Sequence, residues 1–445
     1  MSFYARATDQ HRVYNQVVTL ALDSGDVKFS LTDLPAPSGT DARPYLKATN
    51  HIASKLDTKM GRSRPEKATF SLVDDQGYLR RLFAGLYYYG RDLTLQEGFE
   101  KDGVFHARTL MKLKMANYMV DGDTFKITGT SRTLVVDEDI PPQDDPVTPL
   151  TYTAQHPITI MRDLLKNQGN NLLVEGDLDA TRWDEMRDDW LGGWAMSRTL
   201  NKPYKKMKLL QELQQLTGTA LFEDENGLIS IGYAHPPRPH TTFRSLTDSD
   251  LLEAISVDDN QDALMTRAVV YYDYDGLGDE NDPASYGSVA ISADTELEDA
   301  DHFGVVKPYN IFCRWAVSDV RAQNIASRSL LRQRGTPDLI KFSLDLKDAD
   351  ILTDTVFDLT TKDILNSVGS EKTTRFHVIS RKMNGSRIDL EAQDTLFATN
   401  RHYGFIAHAG AADFGAATAV EKEHAYIGDS AGKVNGGTET GYFII

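Results

Sequence analysis

The chain holds a single cysteine, Cys313. That excludes an internal disulfide and any cysteine-ligated zinc or iron–sulfur cluster. Set between Phe312 and Arg314, it reads as a small core residue rather than a nucleophile. No apolar run approaches bilayer-spanning length, so no membrane anchor is expected. The opening MSFYARATDQHR turns polar at once where a secretory signal would turn apolar. Basic residues are in short supply, with 48 Lys and Arg against 65 Asp and Glu and a net charge of −17. Gripping nucleic acid needs clustered cations to neutralise phosphates, and this balance argues against it. The sequence also lacks a G-x-S-x-G elbow, an H-E-x-x-H zinc motif and a Gly-rich phosphate loop. No cofactor and no metal are therefore expected.

What is present is length and pattern. A chain of 445 residues can bury several cores. The pattern is β-rich α+β and multidomain. Residues 1–136 read as strands, in VVTLALD, VKFSLTDL, KATFSLVDD, FHARTLMKLKMA and TFKITGTSRTLVV, with one helix expected over 78–89 from Leu79, Leu82, Phe83 and Leu86. Residues 137–149 carry four prolines and five acids without a Lys or Arg, as a linker or extended arm does. Residues 150–262 are mixed. HPITIMRDLLKNQG predicts a helix with Pro157 in its first turn. A second helix runs over 203–216, stopped by Gly218, and TALFEDENGLISIGY predicts a hairpin turning at Asn226-Gly227. Residues 263–400 begin with the strand LMTRAVVYYDY. They continue through an insertion, 276–302, with eight acids and no Lys or Arg, to a basic helix over 314–334 and four closing strands. These strands are LIKFSLDL, TVFDLTT, TRFHVISRK and SRIDLEAQD. The triplet Phe-Ser-Leu recurs at Phe29, Phe70 and Phe342, always inside an expected strand.

Three clusters invite a chemical reading. The loop 273–282 spaces acids as a calcium loop does and has Gly278 at the sixth position, but Ala284 stands where a bidentate Glu is required. It reads as a solvated loop. His235 and His240 sit in a proline-rich segment whose stiff backbone points them in uncorrelated directions. Asp184, Glu185, Asp188 and Asp189 lie near Trp183, Trp190 and Trp194. Two carboxylates beside aromatics suit a glycosidase cleft, provided burial raises the pKa of one.

The segment 426–445, YIGDSAGKVNGGTETGYFII, ends apolar after a Gly-rich stretch. An apolar end on a flexible arm needs cover from its own domain or a neighbour. Tyr426, Ile427, Gly428, Asp429, Gly432, Gly437, Thr438, Gly441, Tyr442, Ile444 and Ile445 resemble the closing pattern of tail-tip hub proteins of long-tailed bacteriophages. Further likeness lies in LDTKMGRSRPEKATFSLVDD and in Trp183, Asp184 and Glu185 leading into Trp190-Leu191-Gly192-Gly193. It continues at Gln215 and Gly218, and at Lys347, Asp348, Ala349, Asp354 and Val356. The motifs keep the family's order from about residue 45 to 445.

The resemblance implies a trimeric baseplate hub, similar to the central hub of contractile tails. Two tube-type antiparallel β-barrel domains per chain, with smaller mixed α/β domains inserted, would form a pseudo-sixfold ring from three subunits. It implies a homotrimer between a distal tail protein and tail tube above and tip, fibre or central spike proteins below. DNA would pass through an acidic lumen without specific binding. The site would be the virion tail tip, after synthesis in the host cytoplasm. No catalysis is implied. Residues 401–445 would form a docking arm, with Tyr426, Tyr442, Phe443, Ile444 and Ile445 as partner contacts. Family members with an iron–sulfur cluster hold it on cysteines, which this chain lacks; others continue into a fibre or lytic extension, which is not carried over. The alternatives are a tail-associated enzyme that cleaves cell wall or polysaccharide through Glu185 or Asp189, and a sugar-binding receptor module using the three tryptophans.

Overall fold

The computed structural model describes residues 13–395, 433–434 and 439–440. Within the first span it leaves out 24, 35–41, 53–54, 58–61, 65–66, 75, 133–136, 144–147, 170–172, 225, 234–242, 259–263, 277, 302–303, 316, 334–337, 367 and 385–386.

The N-terminal region builds strands β1 (Val13–Leu20), β2 (Val27–Ser30), β3 (Leu46–Ile52), β4 (Lys55–Asp57), β5 (Arg62–Arg64), β6 (Lys67–Val73), β7 (Asp92–Lys101), β8 (Val104–Asp121) and β9 (Thr124–Ser131), with helix α1 (Tyr78–Phe83). Seven of them form one sheet in the order β2-β1-β7-β8-β9-β6-β3. Alternation decides its faces: Phe70 and Leu72, Leu93 and Leu95, Phe125 and Ile127 all turn inward and are fully buried. Helix α1 is shorter than the periodicity predicts. It ends at Phe83 because Gly85 adopts φ 76°, and Leu86 packs on the core from outside the helix. Strands β3, β4, β5 and β7 lie outside the strand segments that the sequence pattern predicts.

In the middle come β10 (Asp139–Ile140), β11 (Leu150–Gln155), α2 (Pro157–Lys166), α3 (Ala180–Glu185), β12 (Met196–Leu200), β13 (Tyr204–Lys205), α4 (Lys206–Thr217), β14 (Thr219–Glu223) and β15 (Ile229–Tyr233). His156 caps α2, its ring nitrogen accepting from the Ile158 amide at 3.2 Å, and Pro157 occupies the first turn. Gly218, at φ 72°, ends α4 in the left-handed conformation expected of it. The hairpin β14–β15 forms with Gly227 at φ 67°. The acidic stretch is partly anchored, since Asp139–Ile140 pairs with Tyr204–Lys205. Asp137 accepts from the Met207 amide at 3.0 Å, placing a carboxylate at the positive end of α4.

The remaining elements are β16 (Arg244–Thr247), β17 (Ser256–Asp258), β18 (Arg267–Tyr274), β19 (Tyr286–Ala293), β20 (Pro308–Phe312), α5 (Asp319–Gln333), β21 (Leu339–Asp345), β22 (Val356–Leu365), β23 (Glu371–Asn384) and β24 (Arg387–Asp394). The four closing strands all form. They make a second sheet, β16-β22-β23-β24-β21-β17, to which the β4–β5 hairpin attaches through Lys55 opposite Ser380. The acidic insertion contributes β19, which joins β18 and β20 in a three-stranded sheet. Ala322, Ile325, Ala326 and Leu330 of α5 share a core with α2, α4 and that sheet, while Val320 stays 62% exposed.

Neither large sheet closes into a barrel by strand pairing among the described residues. The first comes nearest. Arg43 exchanges backbone hydrogen bonds with the β2 edge through Ser30 and Lys28, and the Tyr45 carbonyl accepts from Val73 on β6. The three Phe-Ser-Leu phenylalanines are all buried on strands, in β2, β6 and β21.

Candidate functional site at the seams between the sheets

The polar residues that the structure brings together lie where its parts meet. The most connected is Asp354, on the turn entering β22. Its backbone is left-handed, at φ 73°, a conformation that Asp tolerates better than most residues. Its amide donates to the Val378 carbonyl at 2.9 Å. The carboxylate meets His377 Nε2 at 2.7 Å and Arg182 Nη2 at 3.5 Å. Arg182 belongs to α3, and its Nε donates to the Ile231 carbonyl of β15 at 3.3 Å. The Asp354 carboxylate lies close against Gly232, where an added Cβ would come 2.6 Å from it and push it aside. One acid thus fastens the middle region to the second sheet.

A few residues earlier, the chain is fastened to the first sheet. The Ala349 carbonyl accepts from Arg108 Nη1 of β8 at 2.7 Å. Arg108 also donates to Glu97 Oε1 from Nε at 2.8 Å and from Nη2 at 2.5 Å. Glu97 is fully buried, and the Tyr14 hydroxyl donates to its other oxygen at 3.3 Å. Burial first, and then the Glu97 charge, push the Tyr14 hydroxyl pKa well up. Asp348 is fully buried too and accepts from Arg244. Burial holds its carboxyl above the usual range despite the opposing pull of Arg244 and Lys347. Around these groups the cores merge, because Phe99, Tyr14 and Leu110 of the first sheet pack with Phe357 and Phe376 of the second.

A third seam joins β8 and β9 to the β14–β15 hairpin. Arg132 donates to Asp177 and to the Gly227 carbonyl. Glu223 accepts from the Lys112 amide at 3.2 Å and from the Ser131 hydroxyl at 3.5 Å. The residue keeps some exposure, but its carboxylate is enclosed. Burial outweighs the pull of Arg132 and pushes its pKa up to about 7.

The clusters singled out in the sequence take other roles. Trp183 is fully buried and its ring N–H donates to the Ile229 carbonyl at 2.9 Å. Trp194 is 8% exposed and lies beneath the guanidiniums of Arg321 and Arg328. Asp184 pairs with Arg162 at 2.7 Å and Glu185 with Arg182 at 2.8 Å. The Arg187 hydrogen bond lowers the Asp188 pKa, the opposite of what a general acid needs. An open hollow of about 230 Å³ beside α2 is lined by Arg162, Lys166 and Arg187, but each already pairs with Glu175, Asp184 or Asp188. The side chains of Asp189 and Trp190, and the whole of His235 and His240, lie outside the described residues. So do Tyr426, Tyr442, Phe443, Ile444 and Ile445. Near them only the short pairing of Lys433–Val434 with Glu439–Thr440 is described.

In the loop 273–282 the acids cap their own backbone. Asp275, Asp279 and Asp282 accept from Gly278, Asn281 and Ala284 amides at 3.0, 2.9 and 3.0 Å. Among the described residues no group of three His, Cys, Asp or Glu gathers as a metal site. Glu280 instead turns inward to Lys208 at 2.8 Å, Arg314 at 3.1 Å and Lys202 at 3.4 Å. Burial alone would raise its pKa, but these partners and Tyr204 hold it down to about 2. Beside it Arg198 pairs with Glu212 at 2.5 Å, and Arg314 reaches Glu212 at 3.2 Å. Cys313 is buried and donates to the Trp315 carbonyl at 2.9 Å, with burial pushing its thiol up to about 12.

The sequence motifs include Lys347, Asp348, Ala349 and Asp354 but not Glu97, Arg108, Arg182, Glu223 or His377. Arg182 and Asp354 stand 172 residues apart, and even Glu97 and Arg108, 11 apart, meet only across two paired strands, so no helix or turn spacing announces the pairs. The one available signal was a charge at an inward position of an alternating strand, as at Glu97.

No family model matches the chain, and no curated protein matches it in sequence. Solved structures similar to the chain include the following three. The 43 kDa tail protein of prophage MuSo2 from Shewanella oneidensis has 12% identity and a TM-score of 0.49, over 86% of this chain and 99% of that one. Prophage tail protein gp18 from Listeria monocytogenes EGD-e has 12% identity and a TM-score of 0.41, over 85% and 94%. The Francisella PdpA-VgrG complex has 9% identity and a TM-score of 0.48, over 90% of this chain and 55% of that one.

Proposed function

We propose that the chain is a structural protein of a bacteriophage tail, a baseplate hub at the tail tip, and that it acts without catalysis. The observation that carries this reading is the ordered series of hub-like motifs. Several of their residues act as joints: Trp183 anchors α3 to β15, Ala349 ties the second sheet to Arg108 of the first, Asp354 ties it to Arg182 of α3, and Asp348 braces it internally through Arg244 of β16. A part that transmits load between a tube and a tip needs its sheets fixed to one another, and these bonds do that.

In this reading the sheet within residues 1–136 and the sheet of the closing strands are the two tube-type units. Three chains supply six such units and so match a sixfold tube to a threefold tip. Tube proteins lie above, and fibre or spike proteins lie below. The net charge of −17 favours passage of DNA through the lumen by repulsion. Tyr426, Tyr442, Phe443, Ile444 and Ile445 dock on a neighbouring subunit or another tip protein.

Native mass spectrometry of concentrated protein tests the reading. A species of three chain masses is expected. If the chain stays monomeric while turning over peptidoglycan or polysaccharide, the enzyme alternative replaces the hub.

A further inference from the structure

Among the described residues no strand pairs with the outer edge of β19. β19 is the outer strand of its three-stranded sheet, with β18 on one side only. The Asp294 amide donates to the Thr266 carbonyl at 2.8 Å, which sets the phase of the ladder. Even-numbered residues of β19 turn their backbone groups to β18. Gly287, Val289, Ile291 and Ala293 turn theirs outward. Among the described residues no backbone group bonds to that row, and only the Gln323 side chain reaches it, at the Ile291 carbonyl.

Natural edges are commonly blunted by a lysine, a proline, a bulge or short length. This edge runs for eight residues, YGSVAISA, without a charge or a proline. Val289 and Ile291 are 50% and 52% exposed. They continue an apolar face through Tyr271, which lies opposite Val289 on β18 and stacks on Phe312 of β20 at 5.3 Å. Both ends of the edge are acidic: Asp279 and Asp282 precede it and Asp299 and Asp301 follow, all exposed. The whole span 276–302 contains no Lys or Arg.

We propose that the β19 edge is a strand-addition site for an extended segment of another protein, one with apolar side chains at alternate positions between basic flanks. The ladder supplies the backbone bonds, the Val289–Ile291 face takes the alternate side chains, and the acidic ends select the flanks. Charge rules out a second copy of this chain as the occupant. Antiparallel self-pairing would set Asp279 and Asp282 of one copy against Asp299 and Asp301 of the other. The inference stands apart from the hub reading and does not need it.

The test is residue-resolved hydrogen exchange on the full chain, using a synthetic peptide of alternating Val and Thr between paired lysines. A Glu-flanked counterpart serves as the control. The Lys-flanked peptide should slow the Val289 and Ile291 amides about tenfold, and the Glu-flanked one should not. Ile291→Pro removes an outward N–H while leaving the β18 pairing intact, and should abolish the slowing without lowering Tm. If the proline unfolds the chain, Val289→Lys with Ile291→Lys serves instead, since it blunts the edge by charge. Unchanged exchange would overturn the proposal, as would equal slowing by both peptides. Slowing that grows with the concentration of the chain alone would overturn it in favour of self-pairing.

Discussion

The two large sheets and the middle region are stabilised differently. In the sheets the inward faces are mainly apolar, as in Phe70, Leu93, Phe125 and Ile127 of the first and Phe342, Phe357 and Phe376 of the second, with the Glu97–Arg108 pair buried at the seam between them. The middle region shares one apolar core with α5 and the three-stranded sheet, yet along one side of that core Arg198, Glu212, Arg314 and Glu280 are buried together. In that network Arg314 Nε and Trp315 Nε1 are buried without a hydrogen-bond partner among the described residues. Apolar burial tolerates imprecise geometry, whereas buried charge is stable only when each group meets its partner. Sheets of the first kind provide strength. A network of the second kind fixes how helices α4 and α5 and the 273–282 loop sit relative to one another.

Four single substitutions, one of them combined with Arg198→Met, sharpen that contrast. Phe125→Ala should cost most, about 4 kcal/mol, because Phe125 is fully buried with Phe83 and Tyr118 rings at 4.8 and 5.0 Å. Urea unfolding should show the loss as a lower midpoint with an unchanged slope. Glu212→Leu should cost about 3 kcal/mol, since it leaves Arg198 and Arg314 buried without their shared partner. Adding Arg198→Met should recover part of that loss, a non-additivity that Phe125→Ala paired with Arg198→Met should not show.

Glu223→Gln probes a seam. The folded pKa of Glu223, about 7, lies above that of an unfolded Glu, so the folded state holds the extra proton between the two values. Stability therefore falls as pH rises through that window. The Gln variant should gain on the order of 1–2 kcal/mol over the parent at pH 8 and nothing at pH 4. An equal difference at both pH values would mean that Glu223 does not titrate there. Asp354→Asn should have the smallest effect, about 1 kcal/mol, because Asn accepts the left-handed backbone but loses the charge facing His377 and Arg182. Its signature should be faster hydrogen exchange at Val378, whose neighbours it holds.

The contrast also explains what the sequence revealed. Strands with clean alternation, such as KATFSLV and TFKITGTS, are recognisable because one face is apolar throughout. Pro157, Gly218 and Gly227 mark helix start, helix end and turn through backbone constraints that act locally. β7 was hidden by Glu97, a charge at an inward position that makes sense only beside Arg108 on the next strand, and by Gly98, where a Cβ would come within 2.4 Å of the His106 carbonyl. β19 was hidden inside an acidic span by its small residues. The seams were illegible for the same reason. Asp354 and Arg182 stand 172 residues apart, and Arg108 and Ala349 stand 241 apart. The motif block 347–356 pointed to the right stretch of chain without naming what it binds.

The central claim is that three copies of this chain form a hub with six tube-type units. Cryo-electron microscopy of the purified, concentrated protein tests it most directly. The account predicts threefold particles with six similar lobes around an open channel lined by acidic side chains. Particles that stay monomeric, or that close with another symmetry, would contradict it.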